Sequence, residues 1–553
     1  MVYTKELQRK IDQARQLHHQ QLEPLKWSNF CELVNERMTD NRIYLTYIDS
    51  KDHKVELSYK EFSEKAFALA RYLQERGLQP GNRIATVSHN HWQTVVMYFA
   101  AWLIGVVVVP VNLGEDDERI DYILENGEVK LAFVRGQYFD RIQKIVNANS
   151  KLAHIELTDC GDSLEPFTEG KEATPTEADI DGETDALIVY TSGTTGKPKA
   201  VLLTQRNLLE DARSISEWHQ ISAETRMMCV LPIHHVNGTV VTMVTPFYQG
   251  GSTVLNQKFR VKRFFPILNE ENVHVVSVVP TLLQFLNNEY RDQKAPDIKS
   301  LKHIICGAGP LTINVAKKFE EKFNIPIIHG YGLSETTCYS CFLPLDIEES
   351  EHNKWMRDFG YPSIGVPIPA NEMQIHDDKG NPLTENERGE IVVRGVNVMK
   401  EYYGNQEANE KAFTYGWFRS GDEGFYLNDS QKRPYFFITG RIKEIIIRGG
   451  VNLAPLEIDE VINKAPGVKA GIAVGFENDW YGEEVGAYVQ LRDGHDKNED
   501  QILGYCRKHL PFSKCPKVVV FGDKIPVTST GKYQRMKVAH LFKAWKEVQF
   551  RKK

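Results

Sequence analysis

The chain has 553 residues, 41% of them apolar and 25% charged, with a formal net charge of −7. That length is too great for a single core and implies at least two domains, with the composition of an ordinary globular protein. The negative balance excludes a protein that coats nucleic acid, because no overall positive field draws in phosphate backbones.

The first residues, with Lys5, Glu6, Arg9, Lys10 and Asp12, lack the apolar core of a signal peptide, and Arg551-Lys552-Lys553 is not a peroxisomal address. The expected compartment is the cytoplasm. Ser58-x-x-Glu61 reads as a capping box that opens a helix with Phe62, Ala66, Leu69, Ala70 and Leu73 on its apolar face. Gly77 and Pro80 end it. A strand at 83–87 follows. The longest apolar run, 95–111, is broken by Gly105 and Pro110 and falls short of the roughly 20 residues of a membrane helix. It reads as a buried helix over 95–104 and a buried strand over 106–109, with no transmembrane segment. After strand 131–134, the polar stretch 159–185 reads as a surface connection. Strand–helix alternation resumes at 275–279, with a helix after Pro280, a strand at 303–306 and an apolar run at 325–328. Pro326 puts that last run at a strand start or a sheet edge. The rhythm predicts an α/β fold with largely parallel sheets.

Beyond residue 370 the pattern becomes short strands (373–375, 389–394, 435–438), a small β-rich subdomain. A boundary is expected near 440–443, giving a large domain over 1–440 and a small α+β domain over 441–553. In the latter the pattern predicts helices at 455–464 and 500–509 and strands at 470–474 and 485–491. The eight cysteines are scattered, and Cys338-x-x-Cys341 has neither a second pair nor a histidine at ligand spacing, so they read as reduced thiols.

The run Thr191-Ser192-Gly193-Thr194-Thr195-Gly196-Lys197-Pro198-Lys199 follows an apolar strand and gathers glycines, hydroxyls and two lysines. Glycines let backbone N–H groups close on a polyanion, so a triphosphate is the obvious guest. Its spacing is not that of a P-loop: too few residues separate Gly193 from Gly196, and Pro198 follows Lys197. It closely resembles the phosphate loop of the adenylate-forming superfamily, which comprises acyl-CoA synthetases, peptide-synthetase adenylation domains and beetle luciferases.

Further motifs follow in that family's order. His329-Gly330-Tyr331-Gly332-Leu333-Ser334-Glu335 resembles the adenine and magnesium motif, with a Ser at 334 where Thr is commoner. Tyr331 would offer a ring to the purine, and Glu335, a hard oxygen ligand, would hold Mg²⁺ together with Thr195. Gly307-Ala308-Gly309 resembles the segment between adenine and acyl pocket; as a dinucleotide fingerprint it fails, because Thr312 stands where the third glycine belongs. Asp422 and Arg441 match ribose contacts. Lys532, in Thr528-Ser529-Thr530-Gly531-Lys532, matches the catalytic lysine. His234-His235-Val236-Asn237-Gly238 matches the acyl-side motif, with His235 at the gate and His234 in place of the usual Phe. The acyl pocket implied is His235, Asn237, Gly238, Ala308, Gly309 and Cys338, with Val236, Val240 and Phe285 as further lining. Lys443 falls at the family's hinge, and Arg448-Gly449-Gly450 resembles the loop lining its CoA tunnel.

The resemblance implies an ATP-, Mg²⁺- and coenzyme A-dependent ligase. It would activate a carboxylic acid as acyl-AMP and pass the acyl group to CoA. With no fixed cation in 306–311 or 335–341 to pair a second carboxylate, a medium- or long-chain fatty acid is the expected substrate, and an aryl acid the runner-up. A carrier-protein thiol is the alternative acceptor. Homodimerisation is left open.

Overall fold

Ser58 Oγ accepts from the Glu61 amide at 3.1 Å and the Glu61 carboxylate accepts from the Ser58 amide at 2.8 Å. The capping box is therefore present, and helix Tyr59–Glu75 buries Phe62, Ala66, Leu69, Ala70 and Leu73 as its periodicity requires. A computed structural model of the protein describes residues 3–19, 21–161, 163–175, 178–191, 197–527 and 533–551. The apolar run resolves into helix Trp92–Trp102, a turn at Gly105 (φ +67°) and strand Val107–Pro110. Among the described residues no helix is long and apolar enough to cross a membrane.

Two large sheets carry the bigger lobe. One runs Glu401–Tyr402, Ala200–Thr204, Asp185–Tyr190, Val107–Pro110, Arg83–Val87, Val129–Val134, Glu156–Asp159. The other contains nine strands, with Ile327–Tyr331, His303–Cys306, Val275–Val278, Arg226–Cys229 and Ser252–Asn256 as its parallel centre. Both become antiparallel towards an edge, at Asp185–Tyr190 against Ala200–Thr204 and at Ile327–Tyr331 against Cys341–Phe342. The fold is thus α/β with mixed sheets. Pro326 immediately precedes Ile327–Tyr331, which lies inside its sheet, so the proline marks a strand start and not an edge.

The β-rich subdomain is a four-stranded antiparallel sheet, Asn371–His376, Gly389–Gly395, Phe418–Asn428 and Pro434–Arg441. A short turn, Ile442–Glu444, leads into the smaller lobe. There helices Pro455–Lys464 and Glu499–His509 pack beside strands Val468–Asn478 and Gly482–Leu491. The lobes touch through Gln284 Nε2 donating to the Lys469 carbonyl (3.0 Å), the Asn314 amide to Glu460 (3.3 Å) and Tyr361 OH to Glu457 (3.5 Å).

Asn207 ties the seven-stranded sheet to the segment beyond Gly395. It completes a capping box with Thr204, and its amide donates to the carbonyls of Val396 (2.8 Å) and Val398 (3.0 Å). Asn207→Ala should leave those buried carbonyls unpaired at a cost of roughly 2–4 kcal/mol, measured as a lowered thermal midpoint.

Candidate active site

Strand Asp185–Tyr190 delivers the chain to Thr191, whose amide donates to the Lys199 carbonyl at 2.9 Å, while the Lys199 amide donates back to Thr191 Oγ1 at 3.3 Å. The two ends of the glycine-rich run are pinned together. Ser192, Gly193, Thr194, Thr195 and Gly196 themselves lie outside the described residues, as does Lys532. Lys197 stands over the Tyr122 ring (4.8 Å) and Lys199 over that of Tyr402 (4.3 Å). Burial pulls the Lys199 ammonium below its ordinary range, and the nearby Glu335 carboxylate opposes that shift.

Glu335 sits in the one-turn helix Ser334–Thr336, and its Oε1 accepts from Tyr402 OH at 2.7 Å. Tyr402 comes from the short strand Glu401–Tyr402 and belongs to no motif read in the sequence. One carboxylate oxygen is thereby oriented, leaving the second for a hard cation, the donor chemistry that Mg²⁺ takes when phosphates complete its shell. Among the described residues no cluster of three metal-ligating side chains exists.

Tyr331, Asp422 and Arg441 form one chain of contacts. Tyr331 OH donates to Asp422 Oδ2 at 2.7 Å, and Arg441 Nε lies 2.7 Å from Asp422 Oδ1. Asp422 is almost fully buried, and it holds the Arg441 guanidinium firmly charged. The tyrosine therefore offers more than a ring face: its hydroxyl braces the carboxylate. Gly332 is dictated by packing, since a Cβ there would come within 2.0 Å of the Cys338 carbonyl oxygen.

These residues line a single cleft of about 1040 Å³ that runs between the lobes. Thr191, Lys197, Lys199, Ala308, Gly309, Gly330, Tyr331, Gly332, Ser334, Glu335, Asp422 and Arg441 all face it, as do His235, Asn237, Cys338 and Lys443. Ala308 adopts φ +60°, an uncommon conformation for a residue with a Cβ, beside Gly309. Three groups read from the sequence lie off this cleft. Gly307 does not line the cleft; it makes room for Tyr339, whose hydroxyl would lie 2.5 Å from a Cβ. Gly238 is packed beneath the Pro232 carbonyl. Arg448, Gly449 and Gly450 are also absent from the lining. Arg448 Nε donates to the fully buried Glu484 at 2.8 Å and its guanidinium lies over the Tyr481 ring at 4.0 Å.

Beside His235, Asn237 belongs to a polar group whose other members, Ser277 and Tyr339, stood in no motif. Ser277 Oγ donates to Asn237 Oδ1 at 2.7 Å, and Asn237 Nδ2 donates to Tyr339 OH at 3.1 Å, all three side chains being buried. The His234 and His235 rings lie 4.3 Å apart, and enclosure holds His234 neutral by pushing its pKa well below the usual range. Cys338 is likewise kept as a neutral thiol by burial.

The geometry coincides with what sequence comparison finds. Residues 34–403 match the AMP-binding enzyme family and residues 457–532 match the AMP-binding enzyme C-terminal domain. This chain belongs to the AMP-binding enzyme family. It is 30% identical to an oxalate–CoA ligase of Arabidopsis thaliana over 482 residues, 86% of this chain and 91% of that one. It is 28% identical to the long-chain-fatty-acid–CoA ligase FadD13 of Mycobacterium tuberculosis over 91% of this chain and 96% of that one. The ATP-bound structure of MatB from Rhodopseudomonas palustris superimposes with a TM-score of 0.83 at 25% identity, covering 93% of this chain and 98% of that one. The family member described here is an AMP-forming acid–thiol ligase with a large N-terminal and a small C-terminal domain, and it uses a carboxylic acid, ATP and CoA.

Asp422 serves two partners at once. Asp422→Ala should raise the KM for ATP at least about tenfold, the loss of one or more charge-assisted hydrogen bonds, read from ATP titrations of the ligase reaction.

Proposed function

We propose that this ligase divides at residue 440 into a lobe that holds ATP and acid and a smaller lobe that brings Lys532 to the reaction. A carboxylate is a weak nucleophile and repels ATP, so the first step needs charge neutralised and the attacking oxygen held in line with the α-phosphorus. Lys197, Lys199 and the 191–199 segment would receive the phosphates. Asp422 and Arg441 would take the ribose, and Tyr331 would back the purine. Glu335, with Thr195, would hold Mg²⁺, which shields phosphate charge when bound. Lys532 would pair with the α-phosphate and carboxylate oxygens as acyl-AMP forms. Rotation about Lys443 would then withdraw it and bring the 448–450 loop round to receive the thiol of CoA, which displaces AMP. The observation that carries the reading is the single cleft joining Thr191, Lys199, Glu335, Asp422, Arg441 and His235.

The fatty acid expected from the sequence has partial support, because Val236, Ala308 and Cys338 line the cleft. Val240, however, is sealed in the core and Phe285 is half exposed without lining it. The Asn237–Ser277–Tyr339 group favours a second reading, a short acid with an oxygen-bearing far end. Asn237 and Tyr339 line the cleft, and the second N–H of the Asn237 amide is a donor that an oxygen on the acid can use and a methylene cannot. The oxalate ligase among its relatives agrees with that reading.

With Mg²⁺, ATP and CoA, the protein should yield AMP and an acyl thioester with short oxygenated acids. Their kcat/KM should exceed that of octanoate and longer saturated acids by about tenfold, and the reverse order would restore the fatty acid. Lys532→Ala should lower acid-dependent exchange of labelled pyrophosphate into ATP by roughly 10²–10³-fold while sparing thioester formation from supplied acyl-AMP. Equal loss in both half-reactions would remove the role given to Lys532.

A further inference from the structure

Arg535 lies three residues beyond Lys532 and is 5% exposed. Its guanidinium faces two carboxylates and a carbonyl. Nη1 donates to Asp459 Oδ1 at 2.9 Å and to the Ala473 carbonyl at 3.0 Å, and Nη2 donates to Asp459 Oδ2 at 2.5 Å. Nε faces Glu444 Oε2 at 3.3 Å. Asp459 is on helix Pro455–Lys464, and its Oδ1 also accepts from the Ala473 amide at 2.6 Å, so helix, strand Val468–Asn478 and Arg535 share one buried joint. Glu444 ends the turn Ile442–Glu444, directly after Lys443. The chain returning to Arg535 is anchored as well: Val527 bridges Tyr533, and the Gln534 amide donates to the Pro526 carbonyl at 2.9 Å. Glu444, Asp459, Tyr533 and Arg535 all line the cleft.

We propose that Arg535 is a positioning residue that joins the small-lobe end of the hinge, at Glu444, to the residues flanking Lys532, so that a turn about Lys443 carries the points from which that lysine is held, Val527 and Tyr533, as one body. This rests on the role proposed above for Lys532. A planar guanidinium with donors in a fixed fork can brace three elements at set angles; an ammonium on a flexible stem cannot. The Glu444 contact is a direct link between the hinge end and Arg535. A displacement of one ångström at a reacting group costs about a hundredfold in rate, so slack there appears first in adenylation. The thiol step, from which Lys532 has been withdrawn, is indifferent to it.

Replacing Arg535 by a neutral residue would leave Asp459 buried and unpaired and endanger folding. The informative variants are therefore Glu444→Gln, which leaves the Arg535–Asp459 pair intact, and Arg535→Lys, which keeps the charge and removes the fork. Both should lower kcat for acid-dependent pyrophosphate exchange by about tenfold. Thioester formation from supplied acyl-AMP should stay within about twofold of wild type, and Glu444→Asp should recover part of the loss. Glu444 also contributes to the field at Arg441, so the KM for ATP is read in parallel; a raised KM with kcat preserved would assign Glu444 to nucleotide binding and overturn the proposal. Equal loss in both half-reactions, or no loss in either, would also overturn it. Wild-type protein is assayed alongside: if it shows no exchange with any acid, the adenylation reading itself fails, whereas active wild type with unaffected variants sinks only the coupling.

Discussion

A carboxylate and a triphosphate repel each other, and the site proposed for them has to work against that repulsion. Two unit charges 4 Å apart interact by about 4 kcal/mol at a protein surface and by about 1 kcal/mol in water, so cations count for most where water is thin. Lys199 shows the cost of that arrangement. Its burial favours the neutral amine, and it is the carboxylate of Glu335 that opposes the loss of charge. Glu335 is itself fixed by Tyr402, whose ring also lies beneath Lys199. Cation, anion and tyrosine thus form one unit, with each member's position set by the other two.

That interdependence explains what could be read from the sequence and what could not. Local signals were legible: the capping box at Ser58, the breaks at Gly105 and Pro110, and helix Pro455–Lys464 each depend on neighbours within a few residues. The motif residues that face the cleft were legible because backbone approach and charge are written into residue type. Their partners were not. Tyr402 lies 67 residues beyond Glu335, and Tyr339 lies 102 beyond Asn237. Only the sheet order brings these together, and no period or spacing encodes a contact across that distance. Glycines misled for a related reason. Gly238 and Gly307 read as room for a ligand, yet each accommodates a protein atom, the Pro232 carbonyl in one case and the Tyr339 hydroxyl in the other. Arg448, in the loop that resembles the family's CoA-tunnel segment, pairs with Glu484 on the neighbouring strand, a partner that no local pattern announces.

Gly307 and Tyr339 pack together between Asn237 and the segment from 329 to 335. The Tyr339 hydroxyl occupies the space a Cβ at position 307 would need, and it receives the Asn237 amide on the other side. Cys338, next in the chain, places its carbonyl against Gly332. The segment from 329 to 339 therefore contacts what the proposal assigns to purine, metal and acid within a few residues.

The chain is braced on both sides of the proposed pivot at Lys443. On the large-lobe side, Arg441 is held by Asp422, which is held by Tyr331, so the last residue of strand Pro434–Arg441 is braced to the wall of the cleft. On the far side, Glu444 faces the buried Arg535–Asp459 pair. Ile442 and Lys443 alone stand between two anchored positions. Large backbone rotations are absorbed by a few residues at the ends of elements, and bracing on both flanks concentrates any rotation at these two. The interlobe contacts of Gln284, Asn314 and Tyr361 are single hydrogen bonds, each of modest net worth at about 1 kcal/mol. Anchors on either side of a short pivot would let the proposed rotation leave each lobe's internal geometry intact, against a seam of these hydrogen bonds and the packing of Leu456 on the large-lobe core.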